Sequence, residues 1–324
     1  YNKIRFNGEY VQKINDPYPD NQNEEFNYIY KKGEGLLFNL GYSTKGFALD
    51  FSAKHMDNML WRSTNVNVGP TDLLIGYLPA LTKQHTYNLA ATLYPYATNF
   101  YGEIAYQADL LFKIPKKSIL GGKYGTSVAI NFATSYTPKR KFINDMESSR
   151  NSYSTKFFSS SDSLLFQDFN IEIKRKLNKK VKLNLNYFNF KFNDNAVKVA
   201  NYYKMIYAQI VVLDLTYQFN RYHSIRFETQ GMWTQQDKGN WAFGQIEYTF
   251  SPHWYLAILD QYNYGNNNIE KRLHYGLISG GYIDGSHRFS LQYGKQRAGV
   301  FCVGGVCRAV PASNGLTFSF TSSF

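Results

Sequence analysis

Hydrophobic and polar residues alternate along much of this chain with a period of two. In FNIEIKRKL, Phe169, Ile171 and Ile173 share one parity, whereas Glu172 and Lys174 share the other. Because successive side chains of a β-strand point to opposite faces, this alternation predicts a strand with one apolar and one charged face. The segments SIRFETQGMW and FGQIEYTF repeat the pattern. An all-β protein built from two-faced strands is therefore expected.

One segment departs from this regularity. In KLNLNYFNFKF, Leu183 and Leu185 lie on one parity, whereas Phe188, Phe190 and Phe192 lie on the other. A β-bulge would shift the phase of the strand, and aromatic side chains that point inward near one rim would give the same pattern. Both interpretations stay open at this point.

The connections between predicted strands alternate between tight turns and longer polar loops. Tight turns fall at STKG, LNKK, NRYHS, SP and DGS, and long loops at 137–163 and before the last strand. A strand at HTYNLAATLY (85–94) would break the alternation, so residues 62–99 are expected to form one long loop. This reading gives 14 antiparallel strands connected up and down, in a single domain over residues 1–324.

The composition favours a membrane barrel over a soluble sandwich. Aromatic residues make up 18% of the chain, yet the mean hydropathy is only −0.43. No run reaches the ~20 apolar residues of a membrane-spanning helix, whereas barrel strands need only about ten. Aromatic residues near the predicted strand ends are those expected of interfacial girdles: Trp61, Trp233, Trp241, Trp254, Tyr262 and Tyr264. The expected fold is a transmembrane antiparallel β-barrel, with short periplasmic turns and long extracellular loops.

The end of the chain carries a second indication of a barrel. In GLTFSFTSSF, Leu316, Phe318, Phe320 and Phe324 share one parity. An alternating strand with a terminal aromatic resembles the C-terminal signal of outer-membrane proteins. That resemblance implies recognition by the barrel-assembly machinery.

Longer stretches resemble a Bacteroidota family of outer-membrane proteins of unknown function. They are QRAGVFCVGGVCRAVPASNGLTFSFTSSF, GGKYGTSVAINF, NYIYKKGEGLL and DQYNYGN, and the similarity covers the whole chain. It implies a barrel in the bacterial outer membrane, in contact with lipid and lipopolysaccharide, and it supplies no activity. Family members begin earlier, and this chain opens in strand-like alternation without a signal peptide. A larger barrel with this chain as its C-terminal part is therefore an open expectation.

Charged residues on the polar parity are candidates to face the barrel lumen. They are Asp168, Glu172, Lys174, Arg226, Glu228 and Glu247. Such residues would line an aqueous pore or form a cross-strand salt-bridge lattice that fills the lumen. The expected function is a pore for small polar solutes. The alternative is a non-conducting structural or accessory subunit that docks other outer-membrane proteins.

Other classes of function find little support. The net charge of +12 is spread over turns and loops without a nucleic-acid-binding motif, so no nucleic-acid partner is expected. His274 and Ser279 have opposite parity and cannot act as one hydrolytic pair, and no nucleotide-binding motif occurs. Acidic residues near Asp16 match no calcium loop. No enzyme activity, metal or cofactor is expected.

The two cysteines, Cys302 and Cys307, lie in the connection before the last strand. The alternation places this connection outside the cell, where conditions are oxidising. A tight turn at Gly304 and Gly305 would bring the two sulfur atoms together, so a disulfide is predicted. A metal or redox pair would need further ligands or Cys-x-x-Cys spacing.

Overall fold

The computed structural model describes residues 3–14, 16, 18–19, 28–61, 63, 79–143, 153–194, 205–303 and 306–323. Side chains at 18, 19, 28, 300–302 and 306–309 lie outside the description. One α-helix, one 3₁₀-helix (Ile269–Lys271) and twenty strands occur in the described residues: β1 (Ile4–Lys13), β2 (Tyr18–Pro19), β3 (Tyr28–Ile29), β4 (Gly33–Thr44), β5 (Phe47–Asp57), α1 (Asn88–Thr92), β6 (Gly102–Ile114), β7 (Thr126–Pro138), β8 (Lys141–Phe142), β9 (Tyr153–Ser154), β10 (Ser160–Lys176), β11 (Val181–Phe192), β12 (Ile206–Gln218), β13 (His223–Trp233), β14 (Trp241–Phe250), β15 (Trp254–Tyr262), β16 (His274–Asp284), β17 (His287–Gln296), β18 (Gly299–Val303), β19 (Val306–Val310) and β20 (Ser313–Thr321).

Fourteen of these strands form one antiparallel up-and-down sheet, as the sequence predicts. Its order is β1-β4-β5-β6-β7-β10-β11-β12-β13-β14-β15-β16-β17-β20. Each long strand therefore pairs with the long strands that precede and follow it along the chain. The edge strands β1 and β20 are not hydrogen-bonded to each other in the described residues, and the sheet is therefore not closed. The remaining short strands form three two-stranded hairpins within the connections.

The two ends of the sheet differ in their connections. At the turn end, which carries STKG, the strands are joined by six turns, such as 45–46 and 177–180. At the loop end lie the connections that hold the small hairpins and α1. Between β5 and β6 the described residues contain no strand of the sheet, and the segment HTYNLAATLY includes α1 instead. The apolar residues Leu73, Leu74, Ile75 and Leu78 of this connection lie outside the described residues.

One face of the sheet is apolar and exposed. Side chains such as Leu49, Leu213, Leu256 and Phe318 lie on this outer face, and each is more than a third exposed. Leu316 and Phe320 share the outer face of β20 with Phe318, whereas Phe324 lies outside the described residues. No described helix is long and apolar enough to span a bilayer.

The irregular strand β11 holds its pairing without a shift in register on either side. Its aromatic residues Phe188, Phe190 and Phe192 are buried on the inner face, whereas Leu185 on the other face is exposed. Inward-pointing aromatics, and not a bulge, therefore explain the change of phase in KLNLNYFNFKF. The irregular pairing lies in β10, between Ser160 and Phe166 at the loop end.

Candidate functional site

Residues 79–101, called the insert below, fill the space enclosed by the sheet. Hydrogen bonds join the insert to inward side chains of seven strands: β5, β6, β7, β10, β11, β12 and β13. A segment of this size can reach seven neighbouring strands from one side only if the sheet curves around it. The enclosed space is therefore the barrel lumen, and the insert occupies it.

Apolar packing holds the middle of the insert. Leu89 is fully buried, and Ala90 and Tyr94 are nearly so, in one cluster with inward residues of β10 to β16. The Tyr96 ring stacks on Phe166 at a centroid separation of 4.8 Å. Burying a side chain the size of leucine stabilises a fold by about 1.5–3 kcal/mol, so several such residues hold the insert firmly. The inward phenylalanines of β11 form part of this contact surface.

Polar contacts fix the orientation of the insert. The Nε2 atom of His85 lies 2.7 Å from Oδ2 of Asp168, and the phenol of Tyr87 donates to Asp214 at 3.3 Å. Burial raises the pKa of the Tyr87 phenol well above its usual range, and the nearby Asp214 carboxylate adds to the rise. The backbone N–H of Leu89 donates to Oε1 of Gln230 at 3.0 Å. At Tyr87 and Leu89 the inner wall therefore supplies an acceptor for a donor of the insert.

A buried ion pair ties both ends of the insert to the wall. Lys54 on β5 and Glu103 on β6 are fully buried, and Lys54 Nζ lies 2.8 Å from Glu103 Oε1. The same ammonium donates to the carbonyl of Pro79 at 2.8 Å and to the hydroxyl of Thr98 at 2.9 Å. Glu103 Oε2 accepts from the phenol of Tyr96 and from the backbone N–H of Asn99. This arrangement of one ion pair and four hydrogen bonds is called the clamp below.

Burial also affects the tyrosines at the end of the insert. The pKa of the Tyr96 phenol is raised well above its usual range by desolvation and by the Glu103 carboxylate. The pKa of Tyr94 is raised in the same way by burial and by Asp237. Both phenols therefore stay protonated and act as donors.

The charged residues of the wall form a cross-strand network. Arg226 donates from Nε to both carboxylate oxygens of Asp214 at 3.1 Å, and it also pairs with Glu228. Lys174 lies 2.9 Å from Glu172. A second chain of bonds joins Asp109, Asn131, Asn170 and Asp168 across β6, β7 and β10. This mutual pairing has the form of the cross-strand salt-bridge lattice, one of the two alternatives for these residues in the sequence analysis.

All six residues proposed from sequence as lumen-facing lie on the inner parity of their strands: Asp168, Glu172, Lys174, Arg226, Glu228 and Glu247. Asp168 contacts His85 of the insert directly. Arg226 bonds to Asp214, the acceptor of Tyr87, and Glu228 bonds to Gln230, the acceptor of Leu89. Sequence reasoning missed Lys54, because a single lysine among the polar residues of β5 gives no signal of its buried partner on the next strand.

A second segment, the hairpin β18–β19, also enters the lumen. Val303 at its end is buried, and its carbonyl accepts from Nη2 of Arg288 at 2.8 Å. Arg288 is the second residue of β17 at the turn end, and it also donates to the phenol of Tyr255. The hairpin therefore reaches from the loop end nearly to the opposite end. The connection starts at the loop end, as the alternation of turns and loops predicts, and its position outside the cell stays a prediction.

Cys302 and Cys307 are directly opposite each other in the register of this hairpin. Their side chains lie outside the described residues. The predicted bond is therefore not confirmed.

The structure also tests the expected aromatic girdle and the pair His274 and Ser279. Trp241 is not part of an outer aromatic girdle, because it points inward and is only 2% exposed, with the Arg297 guanidinium 4.6 Å from its ring centroid. Trp233 and Trp254 do lie exposed on the outer face. His274 contacts Asp260 on the outer face, whereas Ser279 is buried on the inner face.

Among the described residues, no group of His, Cys, Asp and Glu has the geometry of a metal site. Asp16 forms an ion pair with Lys13 at 3.0 Å, whereas Asp20, Glu24 and Glu25 lie outside the described residues.

The structure thus defines one antiparallel up-and-down sheet of 14 strands that curves around an occupied interior. The chain belongs to the DUF6029 family, a family of unknown function, whose match covers residues 1–324. This match confirms the resemblance to a family of unknown function, and the Bacteroidota origin stays a prediction.

Solved outer-membrane channels are among the similar structures. The toluene transporter TodX of P. putida gives a TM-score of 0.29 at 8% identity, covering 99% of this chain and 88% of that chain. The monoaromatic hydrocarbon channel CymD gives a TM-score of 0.27 at 11% identity, covering 99% of this chain and 86% of that chain. No curated protein matches the chain.

Proposed function

We propose that the protein is a bacterial outer-membrane channel for small polar solutes, held closed by the insert. Its outer face presents an apolar surface suited to lipid and lipopolysaccharide, while its inner face combines charged and amide side chains with the apolar residues that contact the insert. On this proposal β20 is the strand that the barrel-assembly machinery recognises. Displacement of the insert would free the polar wall groups that it contacts, such as Asp168, Asp214 and Gln230.

The clamp is the observation that carries this proposal. The insert is tied at both ends, through Pro79 and Thr98, to one buried lysine. Between these points its contacts are non-covalent, including the His85 contact with Asp168 and the Tyr87 bond to Asp214. A segment anchored at its ends and bonded reversibly along its middle has the construction of a gate.

A second candidate function is a non-conducting subunit of a larger outer-membrane assembly. The apolar cluster around Leu89 favours it, because a firmly packed insert makes the barrel a solid anchor. Exposed aromatics at the loop end, Trp61, Phe142 and Phe157, offer a surface for protein partners.

Single-channel recording in planar bilayers separates the two candidates. The full chain is compared with a variant in which residues 84–96 are replaced by a flexible glycine-serine linker of equal length. A second variant carries the same replacement and also a shortened β18–β19 hairpin, because that hairpin occupies the lumen as well. The matched control replaces residues 266–271, a mostly exposed connection at the loop end, by a similar linker.

We expect the unmodified protein and the control to be silent or to open rarely. One or both lumen variants should give steady conducting steps. If both lumen variants insert into the bilayer and stay silent, the channel proposal is wrong and the structural subunit is supported.

A further inference from the structure

A group of lysines lines the lumen at the turn end, below the insert. Lys113 on β6 is opposite Ser127 on β7, which is itself opposite Lys174 on β10. One step closer to the turns, Lys176 on β10 is directly opposite Lys182 on β11. Because these residues share the inner parity with the wall network, their side chains face the lumen.

The carboxylates near these lysines are already paired. Glu172 lies 2.9 Å from Lys174, and Asp214 is held by Arg226 through two nitrogen atoms. Within the described part of the chain, Lys113, Lys176 and Lys182 form no ion pair. This end of the lumen therefore carries an excess of positive charge, although the inner wall as a whole has both signs.

The pairing of Lys176 with Lys182 is unfavourable in the absence of a ligand. Like charges directly opposite each other on antiparallel strands destabilise the sheet. Lys176 Nζ lies 5.4 Å from the ring centroid of Tyr124. This cation–π contact attracts the ammonium group but leaves its charge unneutralised. An anion between the two ammonium groups would convert this repulsion into two favourable contacts.

The lysines surround a cavity of matching size. A cavity of about 380 Å³ is lined by Lys113, Lys174, Lys176, Lys182 and Tyr124, together with Ser127 and Thr216. A second cavity of about 330 Å³ shares Lys113, Ser127 and Lys174 with it. This volume accommodates a small molecule rather than a protein segment. The two hydroxyl groups supply further neutral donors for an oxygen ligand.

We propose that this turn-end cavity binds a small soluble anion carrying a phosphate, sulfate or carboxylate group, with Lys113, Lys176 and Lys182 as its ligands. The lysines face the lumen, so the anion enters from the aqueous phase and not from the lipid headgroups. The further conclusion that the transported solutes are anionic rests on the proposed channel, whereas anion binding itself does not.

Binding of inorganic pyrophosphate to the full chain in detergent tests the site without any need for an open channel. Calorimetric titration and thermal unfolding are run at low salt, because at ~0.15 M ionic strength charges further apart than about 8 Å are largely screened. The cavity variant carries Lys113→Gln, Lys176→Gln and Lys182→Gln. We expect pyrophosphate affinity to fall by at least roughly 10-fold, with the ligand-induced rise in Tm lost.

The matched control removes equal charge from the same end of the barrel through K116Q, K179Q and K180Q. These lysines are exposed in the turns and do not line the cavity, so binding should be retained. A further variant, Lys176→Glu, places opposite charges across the strand pair. It should unfold at a higher temperature than the unmodified chain without ligand and gain nothing from pyrophosphate.

Equal loss of affinity in the cavity variant and the control would show diffuse surface attraction and overturn the site. Absence of pyrophosphate binding by the unmodified chain at low salt would overturn it as well. Anionic detergent micelles that compete with pyrophosphate would indicate a lipid headgroup site and contradict the soluble anion. A silent channel that still binds pyrophosphate at this cavity would refute only the proposed transport.

Discussion

Replacement of Lys54 by methionine is the sharpest perturbation of the clamp. Methionine keeps much of the side-chain length and removes the charge and the three donors. It therefore leaves the Glu103 carboxylate buried without its cation and deprives Pro79 and Thr98 of their shared donor. Both ends of the insert should loosen, while the strands keep their backbone pairing.

The expected magnitude follows from burial. Both side chains of the ion pair are fully buried, and loss of one partner from such a pair typically costs about 3–5 kcal/mol because the other charge is stranded. A double variant, Lys54→Met with Glu103→Gln, removes the stranded charge. The amide oxygen of the introduced glutamine can still accept from Tyr96 and Asn99, so we expect the double variant to lose only about 1–2 kcal/mol.

Hydrogen exchange followed by mass spectrometry reports on the insert separately from the sheet. The backbone amides of Leu89, Ala91 and Leu93 are hydrogen-bonded in the unmodified chain. If opening becomes easier by about 3 kcal/mol, their exchange should become roughly 100-fold faster in the single variant. Exchange from β12 and β13 serves as the internal control and should be nearly unchanged.

Two results would refute this reasoning. Exchange in the insert that is unaltered by Lys54→Met would mean that the clamp does not hold the insert. A double variant at least as unstable as the single variant would mean that the stranded Glu103 charge is not the source of the loss.

Two further predictions concern the contacts of the insert. Phe190→Ala, which empties a nearly fully buried site against the His85 ring, should lower the unfolding free energy by about 3–5 kcal/mol in denaturant titration, and a loss below ~1 kcal/mol would contradict the packing. For pH, the raised pKa values of Tyr94 and Tyr96 mean that the folded state keeps protons that the unfolded state loses above its pKa of about 10. Stability should therefore fall as pH rises above ~10. These two phenols should ionise late in ultraviolet titration, and Tyr96→Phe should weaken the pH dependence.

The strand count and the connection order were predictable because the outer face of a barrel must be apolar. Most strands therefore repeat the same period-two pattern, with β11 as an exception, and an up-and-down sheet forces turns and loops to alternate. That constraint identified 62–99 as a connection even though HTYNLAATLY resembles a strand. Parity likewise placed Asp168, Arg226 and the other charged residues on the inner side of their strands.

The occupied lumen was not predictable in the same way. Contact between the insert and the wall depends on side chains far apart in sequence, such as Lys54 with Thr98 or Leu89 with Gln230. Only the inward phenylalanines of β11 gave a signal, because aromatics on the polar parity need an apolar partner inside. Trp241 was misplaced for the same reason: a tryptophan near a strand end suits a lipid interface and a packed lumen equally well.

The long-range contacts of the insert determine when it can pack during folding. Its hydrogen bonds from Tyr87, Leu89 and Tyr94 join residues separated by 127, 141 and 143 positions along the chain. The insert therefore cannot settle until β12 and β13 have been added to the growing sheet. Until then its apolar side chains lack the partners that β12 to β16 supply, and the surface left uncovered is prone to aggregation. Strands of the C-terminal half of the chain therefore cover the apolar side chains of the insert. If folding stops before these strands are in place, Leu89 and its neighbours form the surface most prone to aggregation.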